Sequence, residues 1–470
     1  MISVQNLLQQ LSGNKLMWFF VGFFFLSSCG TTKKANDRYS NTTRTKTTPS
    51  TKSTTPTNTS SDKSKDGKVK VVEWTEGKDD AKPPIVNEEI LKIGDIPVLK
   101  EESYDITYFV PLDATSYDPN KSSDRFINYY CGMQVAQDIL EKESINLNVN
   151  LVDEGTGSIE SLLRSNVNDD TDVIVGPYDR TSLKKVAKYA QENEIANVSP
   201  WQASTKIASE NPYYVQLRPN LNQHYYAIFD DIKAEFPGET NLFILGNQRS
   251  TKDSKRISML QRMGKDVFGK SDDPHFEEFL TIQDSIDIGV MTFDSIFVQD
   301  EKNIVFIPNW SFDDEDFIYG LLRRLSVEKR NAEMIVYGMP IMLESEKINF
   351  DYYKSLNMRV ARSKYVDQRD NDVRRFKRDF VQRFGALPTD DAYEGYDNLM
   401  YIGRNIHKYG KRFQYFLQDD DGYYLQAKYE VEPNIEDDAS DDRLDNINYF
   451  QNKNVDIIVF KDNVFVREID

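Results

Sequence analysis

The stretch that decides the fold runs from Asp172 to Ser204 and reads DVIVGPYDRTSLKKVAKYAQENEIANVSPWQAS. Asp172–Val175 is a short apolar run ending in the turn Gly176-Pro177-Tyr178-Asp179. Leu183, Val186, Ala187 and Ala190 then recur at helical spacing, and Ile195–Val198 is a second β-rich run that stops at Ser199-Pro200-Trp201-Gln202. Two parallel strands joined by a helix cross over right-handedly, so both end on the same edge of the sheet. Open α/β sheets bind ligands at that edge. The turns Gly176–Ser182 and Ser199–Ser204 are therefore the first candidate for a site.

The same alternation continues on both sides. Upstream lie a strand opening at Tyr104, a helix over Phe126–Glu143 and a strand over Leu147–Val152. In that helix Ile127, Tyr130, Cys131, Val135, Ile139 and Leu140 suit one buried face. Downstream come Tyr213–Leu217 as a strand and His224–Phe236 as a helix. A second round follows, with strands at Leu242, Phe276–Ile282, Asn303–Pro308 and Met334–Tyr337 and helices over Arg256–Phe268 and Asp316–Leu325. Val360–Val366, a helix over Val373–Phe384 and a long helix over Pro388–His407 close the pattern. Alternation of this kind predicts parallel doubly wound sheets, and its repetition predicts two lobes. The first lobe is expected at about 104–220 plus a return segment, and the second at about 221–340, within a body spanning 104–430. Residues 431–470 read as an acidic loop and a terminal hairpin turning at Lys461-Asp462-Asn463.

Before the body the composition changes. Residues 1–28 have the form of a secretory signal: Lys15, an apolar core Leu16–Leu26, then Ser27-Ser28-Cys29. That core is too short to span a bilayer, which takes ~20 residues. Leu26-Ser27-Ser28-Cys29-Gly30 resembles the lipobox of bacterial lipoproteins, which implies cleavage before Cys29 and acylation of its thiol. Gly30 in place of Asp favours, by the same resemblance, the periplasmic face of the outer membrane. Residues 29–84 then form a Thr/Ser/Lys-rich segment too poor in apolar residues to fold alone, a tether averaging ~40 Å end to end. Residues 85–103 are an arm leading into the body.

Of 470 residues 39% are hydrophobic, enough for a sizeable core, and the net charge is −18. Thr31–Lys70 carries ten Lys/Arg against three Asp, so the body is more acidic still. That balance argues against nucleic acid as a partner. With Cys29 assigned to lipid, Cys131 has no partner for an internal disulfide. His224, His275 and His407 stand far apart, and there is no His-Glu-x-x-His, phosphate loop or Gly-x-Ser-x-Gly turn. The sequence thus offers no catalytic residues, no metal site and no cofactor motif, and it reads as a non-enzyme.

Several segments together are similar to the type I periplasmic-binding-protein-like family, seen in branched-chain amino-acid binding proteins and receptor ligand-binding regions. Gly132-Met133-Gln134-Val135-Ala136 resembles its first-helix pattern, and Asp172–Pro177 its third strand and ligand turn. Ser199-Pro200 with Ser204-Thr205, then Tyr213–Pro219, resemble its fourth and fifth strands. Ala392-Tyr393-Glu394-Gly395-Tyr396-Asp397 resembles its late Tyr-Asp helix. The resemblance implies an α/β fold of two lobes, each a parallel doubly wound sheet, holding a small polar solute between them. Carried onto this chain it nominates Tyr178, Ser182, Ser199, Ser204 and Thr205 from the first lobe. Trp201 and Gln202 replace the family's small residues and join them. Asn247, Asn309-Trp310 and Gly338-Met339-Pro340 face them from the second lobe, with Trp201 and Trp310 as candidate stacking groups.

Two functions follow as expectations. The first is a lipid-anchored periplasmic lipoprotein that binds an amino-acid-like or wall-derived solute in the interlobe cleft. The second is a scaffold or regulatory lipoprotein that contacts a cell-envelope complex such as the peptidoglycan synthesis machinery, for which the long tether is the motive.

Overall fold

The structure, a computed structural model, describes residues 98, 100–113, 123–237, 241–247, 251–268, 293, 297–299, 301–419, 422–435 and 447–467. All of them belong to the unit Lys82–Asp470. The signal, Cys29, the tether, most of the arm, the strand expected over Phe276–Ile282 and the acidic loop lie outside the described residues.

The opening stretch folds as its spacing predicts. Strand β3 (Thr171–Val175) is buried along its whole length, as a central strand covered on both faces must be. The helix Arg180–Glu192 buries Leu183, Val186, Ala187 and Ala190 and leads into β4 (Ala196–Ser199). Around this unit stand β1 (Tyr104–Val110), β2 (Leu147–Asp153) and β5 (Tyr214–Gln216). From one edge the first sheet runs β2-β1-β3-β4-β5, then β11 (Ile447–Asn452) and β10 (Val431–Ile435). Its strands are parallel except β10.

The second sheet is built from β6 (Asn241–Ile244), β7 (Lys302–Ile307), β8 (Glu333–Gly338) and β9 (Arg359–Arg362), all parallel. The hairpin β12 (Asp456–Lys461) and β13 (Val464–Arg467) completes it, antiparallel to β9. Asp462 and Asn463 both take positive φ (51° and 64°), the two-residue geometry that closes a tight hairpin.

Pairing corrects the expectation that 431–470 stands apart from the lobes. Its first two strands extend the first sheet, and its hairpin extends the second. The second lobe likewise runs beyond residue 340, to β9. The chain consequently passes between lobes three times, at residues 217–220, 363–370 and 453–455. Each lobe has its own apolar core, one around Phe306, Val336 and Leu321, the other around Tyr108, Val175 and Ile402.

The helix Ser123–Lys142 (α1) also departs from expectation. Of the expected face Val135 and Leu140 are buried and Tyr130, Cys131 and Ile139 half-buried, but Ile127 is 41% exposed, and Phe126, Tyr129, Met133 and Ala136 are buried instead. The buried face is turned because α1 packs through Gly132 against the late helix Asp390–Tyr409 (α10). A residue without a side chain leaves no mark in a hydrophobic periodicity.

Candidate functional site

The turn after β3 is fixed by its smallest residue. Gly176 has φ +84°, and a Cβ there would stand 2.5 Å from the Phe109 carbonyl oxygen, so only glycine fits. Buried Asn197 on β4 donates from Nδ2 to the carbonyls of Ile174 (3.2 Å) and Gly176 (2.8 Å), tying the two strand ends together.

Beyond Gly176 the turn's own polar groups are answered from within the chain. The Tyr178 N–H donates to Glu154 Oε1 (2.7 Å), and the Tyr178 carbonyl accepts from Gln202 Nε2 (2.7 Å). Asp179 caps the following helix by accepting from the Ser182 N–H (2.8 Å). Burial pushes the Glu154 carboxyl up to about 7, against the pull of the N–H groups of Tyr178 and Asp179.

Trp201 is 4% exposed and meets Phe126, Tyr129 and Tyr178 edge-on, with ring centroids 5.4, 5.3 and 6.0 Å away. Aromatic edges hold it as part of the first-lobe core. Ser199 lies fully buried at the end of β4, its carbonyl accepting from the Leu217 N–H and its hydroxyl beside that of Tyr214. Ser204 accepts from the Lys206 N–H (3.3 Å), and Thr205 is exposed in the same turn. Of the first-lobe candidates, the structure therefore joins Tyr178, Trp201 and Gln202 directly. Ser182 sits at the adjoining helix start, and Ser204 and Thr205 in the turn that follows.

In the second lobe Asn247 is buried at the end of β6. Its N–H donates to Asn309 Oδ1 (3.0 Å) and its Nδ2 to Asp314 Oδ1 (3.3 Å), while Asn309 Nδ2 reaches Asp314 Oδ2 (2.8 Å). Among the described residues the Asn247 side-chain oxygen has no donor. Trp310 and Phe312, on the turn after β7, are 51% and 60% exposed. Met339, by contrast, is in the core.

Residues that the sequence did not single out as site residues form an ion-pair cluster beside Tyr178 and Trp201. Arg125, on the first turn of α1, places its guanidinium 5.6 Å from the Tyr178 ring centroid and bonds Asp391 through Nε (2.5 Å). Its other end lies 3.7 Å from Glu394, a nearly buried carboxylate on α10. Lys364, just past β9 of the second sheet, closes on the same Glu394. Burial pulls the Lys364 ammonium below its ordinary range; Glu394 opposes this, while Arg218 and Arg125 add to it. Arg218, in the first crossover, donates to the Trp201 carbonyl (3.4 Å). The Lys364–Glu394 pair thus joins the segment past β9 of the second sheet to α10 of the first lobe. Arg125, Arg218, Lys364 and Glu394 come from four distant segments; Arg218 and Glu394 lay within quoted motifs, where they served as markers of fold.

A separate cavity of about 510 Å³ is lined by Tyr396, Tyr424, Arg404 and Arg467, among others, and by none of the candidate residues. Among the described residues no helix is long and apolar enough to cross a membrane.

No protein-family model matches the chain, and a search of curated proteins returned no match. Solved structures do match. One from Rhodospirillum rubrum, described as a branched-chain amino acid ABC transporter, superposes with a TM-score of 0.54 at 12% identity, covering 78% of this chain and 100% of that one. An ABC transporter substrate-binding protein from Desulfitobacterium hafniense gives 0.51 at 11% identity over 78% and 100% of the two chains. A branched chain amino acid ABC transporter periplasmic ligand-binding protein from Burkholderia xenovorans gives 0.50 at 10%, over 78% and 94%. At such identities the likeness is one of fold: two lobes of the type I periplasmic-binding-protein kind, as the motifs anticipate.

Proposed function

We propose that this chain binds a small polar solute between its two lobes, at the periplasmic face of an outer membrane to which a lipid on Cys29 holds it. The observation that carries the solute reading is the ion pair that joins the two lobes at one floor, where Lys364, just past β9 of the second sheet, meets Glu394 on α10 of the first lobe. Polar turns at the carboxyl edge are where open α/β sheets place ligands, and three crossovers suit lobes that close by hinge motion. The proposed walls are Tyr178, Ser182, Ser199, Gln202, Ser204 and Thr205 on one side and Asn247 and Trp310 on the other. Trp201 forms the floor beneath Tyr178 rather than an open stacking surface, because its ring is already engaged by three aromatics. The substrate-binding description of the D. hafniense neighbour supports the reading at the level of fold.

Thermal-shift titration of the full chain with amino acids, small peptides and muropeptides tests the proposal. Stabilisation by one class, lost on Asn247→Ala, is the expected result; no shift with any of them counts against it. The anchor is tested separately. Cys29→Ala should leave the chain unacylated and outside the membrane fraction, and unchanged fractionation would remove the lipoprotein reading.

One observation favours the regulatory alternative. Trp310 and Phe312 present two large exposed aromatic rings on one turn, and paired exposed aromatics are typical anchors of protein interfaces. Crosslinking in cells through position 310, read by mass spectrometry, separates the readings. Reproducible capture of an envelope protein supports the alternative, and capture at background level sets it aside.

A further inference from the structure

We infer that the solute held in the cleft is a net anion, and that Arg218 is its specificity-determining ligand. This rests on the solute reading above and adds its charge class.

The floor carries four cationic side chains, Arg125, Arg218, Arg362 and Lys364. Three of them are matched. Arg125 pairs with Asp391, Lys364 with Glu394, and Arg362 with Glu344 at 3.6 Å. Arg218 is the remainder: it is exposed, and among the described residues its guanidinium meets the Trp201 carbonyl and no carboxylate. A positive charge with free donors therefore stands at the floor of a protein whose net charge is −18. Burial is the main cause of the lowered basicity of Lys364, and the Arg218 charge adds to it against the pull of Glu394.

At the helix start after β3 the backbone groups that could hold an anion are already taken. Helix starts attract anions through free N–H groups, but Glu154 already accepts from the Tyr178 N–H and Asp179 from the Ser182 N–H. Two of this chain's own carboxylates thus stand where a ligand oxyanion would bind. The Arg218 guanidinium, by contrast, is a fork of donors matched to the two oxygens of an incoming carboxylate. An ammonium group fares worse, since Asp391, Glu394, Glu344 and Asp314 are each already engaged.

The test uses solutes matched in shape and differing in charge. Binding of 4-methylpentanoate, 4-methylpentanamide, leucine and leucinamide, and of phenylacetate against phenylacetamide, is measured on the full chain at constant ionic strength. Any small molecule retained through purification is identified in parallel. The expected result is that carboxylates bind, or that an anion is retained, and that Arg218→Gln weakens this about tenfold or more, as loss of a charged hydrogen bond implies. Arg218→Lys, which keeps the charge and loses the fork, should recover part of it. Arg218 is exposed, so neither variant should disturb folding, and matching melting temperatures check this. Preference for the amide or the cation, or a carboxylate affinity unmoved in Arg218→Gln, overturns the anionic assignment and leaves a solute-binding cleft. Absence of binding by every probe together with absence of any retained molecule overturns the solute reading itself.

Discussion

Gly132 on α1 and Gly395 on α10 create one close helix contact from its two sides. A Cβ on Gly132 would lie 1.8 Å from the Ala392 carbonyl oxygen, and one on Gly395 would lie 2.0 Å from that of Tyr129. This contact sets the first turns of the two helices side by side, where Arg125 meets Asp391 and Glu394. The Arg125–Asp391–Glu394 cluster is positioned by two residues that have no side chain.

Gly132→Ala and Gly395→Ala should each force the helices apart, at a cost of about 3 kcal/mol or more, the upper range of overpacking. Gly320→Ala is the control, because nothing lies within 4 Å of its would-be Cβ in the helix Glu315–Glu328. It should be neutral or stabilising by up to about 1 kcal/mol. Urea denaturation of the three variants decides.

The two tryptophans should separate stability from function. Trp201→Ala empties an aromatic-lined core position and should cost about 3–5 kcal/mol. Trp310→Ala removes an exposed ring and should change stability by less than about 0.5 kcal/mol while weakening whatever the cleft or its lip binds. Equal stability losses would contradict the placement of the two rings.

Glu154 gives stability a pH dependence of definite sign. Its folded-state pKa, raised to about 7 from 4.5 by burial, means that its favourable contribution is full below about pH 4.5 and is lost as pH rises to about 7. Relative to Glu154→Gln, the unsubstituted chain should lose on the order of 3 kcal/mol across that window and nothing further above it. A stability difference between the two that is flat from pH 4 to 8 would refute the assignment.

Arg467 should act as a clamp on the hinge. From the last strand of the second sheet it bonds Asp456 Oδ2 (2.7 Å) and the carbonyls of Tyr365 (3.1 Å) and Gln426 (3.3 Å), with its guanidinium 4.4 Å from the Tyr423 ring centroid. Arg467→Met strands a nearly buried Asp456 and should cost about 3–5 kcal/mol. Hydrogen exchange should quicken at Tyr365 and Gln426, and unchanged protection there would argue against a clamp.

Much of the fold was legible because it is local. The apolar run of β3, the helical spacing of Leu183, Val186, Ala187 and Ala190, and the Asp462-Asn463 turn each depend on neighbours in sequence. The destination of residues 431–470 was not legible, since the sheet a strand joins is decided by pairing hundreds of residues away. Nor was the face α1 buries, because Gly132 sets it by having no side chain. At the site, the turn residues could be named from their position at strand ends. Arg125, Arg218, Lys364 and Glu394 could not, as each alone reads as a surface charge and only the crossovers assemble them. Trp201 likewise reads as a cleft aromatic until Phe126 and Tyr129 are placed against it.

Native mass spectrometry of the freshly purified full chain tests the central claim, a solute held between the lobes, most directly. A population heavier than the bare polypeptide by one small molecule, released on activation and reduced in Arg218→Gln, is the expected result. A bare mass in every preparation, unchanged when candidate solutes are added, would contradict it.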